Sequence, residues 1–579
     1  MANLQFIIKC LYLEMKNNYL SSNIIYHMII HRCFFLFFLF FGITFNLISQ
    51  NESWFYIRAK SESFNPDFER IDGKLIYKGD NYKLSSIFYS YDIFEFKKTF
   101  KNANKSSLKK TFFVVSNDEK LLEELLLYAS NIFDFGELIL EDDKKIFEPN
   151  DYGLTSTIAE NKGLKVNLDY FDFVGAPQAW YYTTGSKEMI IGLSDGEVEI
   201  ADKDFSEKTT VIRESSKSKG HGSGVVSIAA GQGDNSYGVT GICYDCSIYA
   251  TDYKDFKTLN QLLELSEMGI KVINCSWAIT LNYQTAQDAI NEMFENGTII
   301  VSAAGNQDWA KSKGKVLYYP SSYKNVISVS SVMHRYETVE ENTMMSAKGN
   351  LYAANIKNYV GRTIGFKNND AFNKHHIWPV SITTLNTEVD ILAPSVDLFR
   401  YSAFALDGEE KYTLEATSST APFVTGTIGL MLSLNPCLPI DEIETILKFT
   451  ATNIDDIEAN KPYRGHYGAG SLHTGRAVKM VYDLYTNTET ATIENQRFSR
   501  WNFKLTALSK EVVIKNQKFT ENTTLNLTAK NRIVIGENTI LKPNENGSIV
   551  LNIDSTLEKE CDLVLREGFP NNKYYHPEE

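Results

Sequence analysis

Residues 415–432 read EATSSTAPFVTGTIGLML, a turn of small and polar residues that runs straight into a long apolar helix signal. A hydroxyl on such a turn is either an ordinary helix cap or a nucleophile presented at a helix start. Ser418 is the first candidate and Ser419, by proximity, the second. Pro422 bears on the choice, because a proline inside a helix costs about 3 kcal/mol unless it falls in the first turn or is kept for a reason.

Three segments upstream supply the partners such a hydroxyl needs. Residues 190–205, IIGLSDGEVEIADKDF, read as a buried parallel strand with Asp195 at its carboxyl end, where α/β folds place their sites. Residues 219–231, KGHGSGVVSIAAG, put His221 among small residues that let a helix begin tightly against a sheet. Residues 298–308, TIIVSAAGNQD, end a strand in small residues and offer the Asn306 amide. Taken singly, each has a bland reading: Asp beside Gly196 and Gly-Asn at 305–306 are common turn residues, and a lone His is usually structural. Together an acid, a base, an amide donor and a hydroxyl are the parts needed to cut an acyl bond.

The chain order Asp, His, Ser is one of three that the same chemistry uses on unrelated folds, and on these residues the chain resembles a subtilisin-like serine protease (subtilase, peptidase family S8). GAPQAWYYTTGSKEMIIGLSD (175–195), GVTGICYDCSIYATD (238–252), VINCSWAI (272–279), YYPSSYKNVISVSSV (318–332) and VDILAPSVDLF (389–399) extend the likeness over roughly 165–485. The resemblance implies a doubly wound α/β domain with a mostly parallel sheet. It implies that Ser418 attacks, His221 moves the proton, Asp195 orients His221, and Asn306 with the Ser418 N–H holds the oxyanion. The family's proline at this offset selects Ser418 over Ser419. Ser276, Trp277 and Ala278 with Ala303, Ala304 and Gly305 correspond to the residues that flank an extended peptide. The floor of the side-chain pocket is not legible.

The chain departs from the family in several places. Glu197 follows Gly196 where the family has Thr or Ser and then Gly, and it is expected to point outward. Ser223 and Gly224 replace Thr and then His or Ser. Ala416 stands for Gly, Ser419-Thr420 for Met-Ala, and Phe423 for His. These leave one alternative from another class: a catalytically silent binding or adhesion protein acting through its C-terminal β module.

Composition sets the frame. The 579 residues exceed one core, and 43% hydrophobic with 13% aromatic residues can bury several. A net charge of −14 argues against nucleic acid and against a polybasic membrane anchor. Residues 33–43, CFFLFFLFFGI, follow His31 and Arg32 and have the length of a signal-peptide core; Ser49 lies near a cleavage point, and Met15 or Met28 would give a leader of usual proportions. Export to the medium or cell surface is expected, with an uncut anchor as the alternative and membrane contact only through that leader.

Residues 51–150 carry strand, helix and strand signals at 109–116, 118–133 and 136–142. By position and pattern this α+β region resembles the family's inhibitory propeptide, with processing expected near 148–165; an accessory domain that stays attached is the alternative. Residues 486–495 read as a linker, and the alternating runs at 525–529, 532–536 and 548–553 as a small β-sandwich or sheet over 493–579. Outside the leader stand Cys243, Cys246, Cys275, Cys437 and Cys561. A Cys243–Cys246 disulfide is expected first, free thiols second and a metal third. Between Val332 and Val389 a surface insertion is expected, with a substrate-side lid as the sharper reading. The adjacent His375 and His376 cannot share a metal. No cofactor is expected, and calcium enters only through the family.

Overall fold

The computed structural model describes residues 52–99, 106–140, 143–156, 161–215, 220–372, 379–381, 383–399 and 416–570. The apolar leader, the His375–His376 pair and residues 157–160 of the span expected to be processed lie outside them. The chain divides into two compact units, residues 1–99 with 105–139, and 100–104 with 140–579.

In the first unit the apolar run at 111–116 becomes the buried strand Thr111–Ser116. It sits in a four-stranded antiparallel sheet, in the order Ile93–Lys98, Thr111–Ser116, Ser53–Ala59, Phe133–Leu138. Helix Lys120–Tyr128 packs Leu121, Leu122 and Leu125 on that sheet. It is shorter than the pattern over 118–133 suggests. Ala129 leaves helical dihedrals, and Phe133, fully buried, opens the next strand instead.

The second unit is built on seven parallel strands: β1 (Ile190–Ser194), β2 (Thr209–Val211), β3 (Ser247–Thr251), β4 (Val272–Cys275), β5 (Ile299–Ala303), β6 (Val326–Val332) and β7 (Ile391–Pro394). Their order is β7-β6-β5-β4-β1-β3-β2. Successive side chains leave a strand on opposite faces, and here they feed two cores. Val272, Ile299 and Val301 join the core with α1 (His221–Ala230) and α4 (Ala421–Leu434); Ile273 and Ile300 join the one with α2 (Asn260–Glu267) and α3 (Gln284–Glu295). This is the doubly wound sheet that the resemblance implies. The strand order reverses beside β1, whose carboxyl end therefore opens on a crevice. Every residue of α4 is buried, so the apolar run at 421–434 is a central helix.

The C-terminal region departs from the expected sandwich. Its strands stack in parallel, Thr490–Glu494 on Glu511–Lys515 on Ile533–Ile535, Arg497–Phe498 on Lys518–Glu521 on Ile540–Pro543, and Asn502–Ala507 on Thr524–Ala529 on Ser548–Ile553. The result is a three-sided parallel β-helix of three coils. Leu505, Leu527 and Leu551 stack in register, as do Val512 with Ile533 and Phe519 with Leu541. Alternation reports a strand with one buried face and is silent on the direction of its partner. The overlooked sign is a repeat: Asn495-Gln496-x-Phe498 recurs as Asn516-Gln517-x-Phe519. The expected linker at 486–495 instead contains the first strand of this β-helix.

The first coil is sealed by α5 (Ile440–Thr450). The Glu442 carboxylate accepts the Thr506 N–H (3.0 Å) and hydroxyl (2.7 Å), and the Thr445 hydroxyl accepts the Lys504 N–H (3.2 Å). Ala491, Phe498, Phe503 and Leu527 join the same core as β1 and α4. Cys243 pairs with Cys246 as expected. Cys437 pairs with Cys561, which the sequence did not disclose, and Cys275 is free and buried. The Val332–Val389 segment is an insertion of short antiparallel strands, Thr343–Met345 with Leu351–Ala353 and Arg362–Thr363 with Pro379–Val380. It has its own small core of Ala353, Ile356, Phe366 and Ala371.

Candidate active site

Asp195 follows the last residue of β1, donates its N–H to the Thr251 carbonyl (3.1 Å) and is buried. His221 opens α1 directly after Gly220, which takes the left-handed φ of +74° that a side chain would resist. Gly222 explains the rest of the HG pair: a Cβ there would lie 2.3 Å from the Gly196 carbonyl oxygen and 2.7 Å from that of Glu197. The Ser223 hydroxyl accepts the Glu199 N–H at 2.8 Å. The start of α1 is thus clamped onto the turn after Asp195, and Asp195 Oδ1 meets His221 Nδ1 at 2.5 Å. The same oxygen accepts the Gly196 N–H at 2.5 Å, whereas Oδ2 is buried and makes no hydrogen bond among the described residues. Glu197 is exposed, as expected.

Ser418 lies in the single 3₁₀ turn Thr417–Ser419, and Pro422 falls in the first turn of α4, where its missing N–H costs nothing. The proline is therefore ordinary on structural grounds and by itself says nothing of a nucleophile. The Ser418 hydroxyl donates to the Ser276 carbonyl (3.1 Å), and the Ser276 hydroxyl donates to the Ser418 carbonyl (2.9 Å). Asn274 and Thr425 extend this lacing, through Asn274 Nδ2 to the Ser276 hydroxyl (2.9 Å) and the Thr425 hydroxyl to Asn274 Oδ1 (3.0 Å). His221 and Ser418 are not hydrogen-bonded to each other, although the Thr417–Ser419 turn packs on α1. Uncomplexed sites often hold such bonds long or misaligned. Cys275 is no rival nucleophile, since burial and then the Asp195 charge push its thiol upward.

Asn306 is exposed, and its side-chain oxygen accepts both the N–H (2.8 Å) and the hydroxyl (3.0 Å) of Thr417. The Thr417 hydroxyl in turn accepts the Gly305 N–H (3.1 Å). With its oxygen engaged, the Asn306 amide nitrogen is the group left to donate. Among the residues expected to flank a peptide, Ser276 is buried, while Trp277 is tied by its indole N–H to the Ser194 hydroxyl (3.1 Å) and packs edge-on to Phe256. Ala303 and Ala304 are buried, and Gly305 has φ +101°. Phe423, where the family has His, is buried between Tyr170 and Phe171 in edge contacts (both 5.8 Å), so that departure belongs to the core.

Among the described residues no three His, Cys, Asp or Glu side chains are arranged to hold a metal. The acidic group Asp151, Asp202, Asp204 and Asp234 is stitched by N–H donors. Asp151 accepts the N–H groups of Asp234 and Asn235, and Asp204 accepts Asn235 Nδ2 and the Val239 N–H. A cavity of about 410 Å³ lies elsewhere, lined by Phe449, Asn453, Arg476, Lys479 and Glu494 among others, and none of the expected catalytic residues borders it.

Comparison with known proteins agrees with this fold. Subtilisin DY of Bacillus licheniformis is 25% identical over 268 residues, 45% of this chain and 78% of that protein. The thermophilic serine proteinase of Bacillus sp. (strain AK1) is 25% identical over 271 residues, 44% of this chain and 55% of that protein. The minor extracellular protease Epr of Bacillus subtilis (strain 168) is 30% identical over 142 residues, 22% of this chain and 21% of that protein. The model of the subtilase family, Peptidase S8, matches residues 146–470, more than half of the chain. This chain belongs to the subtilase family of serine peptidases.

Proposed function

We propose that the protein is an exported serine endopeptidase that cleaves extended peptides through an acyl-enzyme. Ser418 attacks the scissile carbonyl, His221 takes the hydroxyl proton and returns it to the leaving amine, and Asp195 keeps the Nδ1–H tautomer and balances the imidazolium. The Asn306 amide and the Ser418 N–H receive the oxyanion. Removing one such donor from subtilisin itself, a member of the same family, costs about 10²–10³ in rate. The observation that carries the reading is the 2.5 Å Asp195–His221 bond at the switch point of the sheet. To react, the Ser418 hydroxyl must leave the Ser276 carbonyl for His221. The first unit is read as the inhibitor of this site before processing, on its α+β form and its position in the chain. Export rests on the apolar run at 33–43 and on the word extracellular in one relative's name. Among the described residues no helix is long and apolar enough to cross a membrane.

The test is labelling with a fluorophosphonate, wild type beside Ser418→Ala. Labelling lost in the variant supports the nucleophile. Labelling retained there assigns the reaction to another hydroxyl, with Ser419→Ala as the deciding control.

A further inference from the structure

The sequence leaves the cleavage preference open, and the structure contains a feature that bears on it. β4 and β5 run side by side as far as Cys275 and Ser302. Beyond them the two chains part. One continues through Ser276, Trp277 and Ala278 and the other through Ala304, Gly305 and Asn306. Ser418 is hydrogen-bonded to the first chain at Ser276, and its neighbour Thr417 to the second at Gly305 and Asn306. On the reading that these residues flank an extended peptide, a carbonyl carbon at the Ser418 hydroxyl sends the side chain on its acyl side into the slot between the two chains.

The far end of that slot is crossed by a third segment. Ile279 and Tyr319 exchange both backbone hydrogen bonds (2.9 and 2.8 Å), which fixes the 318–320 stretch against the end of the first chain. From there the Tyr318 ring reaches the second chain. A Cβ on Gly305 would stand 2.5, 2.8 and 2.9 Å from three atoms of the ring, so the ring lies directly on the Gly305 backbone. Tyr318 is held at its carbonyl by the Ser321 hydroxyl (2.8 Å) and the Ser322 N–H (2.8 Å). An aromatic ring thus occupies space that a large substrate side chain would need.

We propose that Tyr318 is the specificity-determining residue, closing the slot so that the enzyme cleaves after Gly, Ala or Ser and rejects aromatic and large aliphatic residues. The inference rests on the protease reading above. Steric exclusion from a closed pocket acts on the transition state as much as on binding, so it appears in kcat/KM.

The experiment profiles a peptide library, varied on the acyl side of the cleaved bond, with full-length wild type, Tyr318→Ala and Tyr318→Phe. Fluorophosphonate labelling of each reports independently on the nucleophile. The expected result is labelling of all three and a wild-type preference of about tenfold or more for Gly, Ala and Ser over Phe and Leu. Tyr318→Ala should lose most of that preference by gaining turnover of Phe and Leu, and Tyr318→Phe should keep it. A labelled wild type that prefers Phe or Leu overturns the role of Tyr318 and leaves the protease reading standing, even if Tyr318→Ala does not fold. An unchanged profile in a labelled Tyr318→Ala does the same. Absence of labelling in all three, persisting after mild proteolysis has removed residues 51–150, overturns both.

Discussion

Replacing Asp195 by Asn tests the electrostatic core of the mechanism, and the structure dictates which way the amide faces. The Asp195 oxygen that meets His221 also accepts the Gly196 N–H. An amide NH₂ there would confront two donors, so the Asn oxygen keeps that place and the NH₂ takes the position of Oδ2, which is buried and has no hydrogen-bond partner among the described residues. The Nδ1–H tautomer of His221 is therefore retained, and what is lost is the negative charge opposite the imidazolium. At an effective dielectric near 20, unit charges about 4 Å apart attract by about 4 kcal/mol. His221 is 31% exposed and solvent screens part of that. At 1.36 kcal/mol per tenfold, kcat should fall by about 10²–10³ with KM nearly unchanged. The unpartnered NH₂ should lower stability by about 1–3 kcal/mol. The assay is steady-state hydrolysis of a chromogenic peptide beside thermal unfolding of both proteins. A fall in kcat below tenfold would refute the argument that Asp195 balances charge on His221. A fall far beyond 10³ would mean that the amide turns and traps the wrong tautomer.

Gly222→Ala should destabilise the protein by about 1–3 kcal/mol and cut kcat, because its Cβ meets two backbone oxygens of the turn that carries Asp195; thermal unfolding and peptide hydrolysis report the two effects. Burial raises the carboxyls of Asp151 and Asp204 to about 7. A group raised in the fold favours the folded state while protonated, so stability is greatest below about pH 4 for these two groups and is lost as pH rises through 7. Asp169 acts in the opposite sense. Burial alone would raise it, but hydrogen bonds from His334 and Arg335 hold it well below the usual range, so its contribution is lost only in strong acid. Urea unfolding at pH 5 and pH 8 should give a lower midpoint at pH 8, and Asp151→Asn should flatten the difference; equal midpoints in the wild type would contradict the burial argument.

How far the sequence carries depends on the range of the interaction read. The fold of the second unit was legible because a buried parallel strand and an apolar helix are local patterns, as at 189–195 and 421–434. The candidate catalytic residues were legible because each motif is a strand-to-turn or turn-to-helix junction. Gly220 and Gly222 beside His221, and the strand ending at 303 before Asn306, announce their geometry within a few residues. The pairing of coils was not legible from alternation, though the Asn-Gln-x-Phe repeat held it. The Cys437–Cys561 bond and the α5 seal on the first coil had no local sign, because their partners lie far apart along the chain.

The sequence by itself carried the order of the candidate residues and, through its resemblance to the subtilases, the class of chemistry and the doubly wound sheet, since each motif is a short stretch that can be read locally. Only the tertiary structure decided that Asp195 shares one oxygen between His221 and Gly196, that Phe423 is a core residue, and that Tyr318 lies on Gly305. These follow from close packing of segments distant in sequence. Which side chain fills a space depends on every element that borders it, and no single stretch of the chain encodes that.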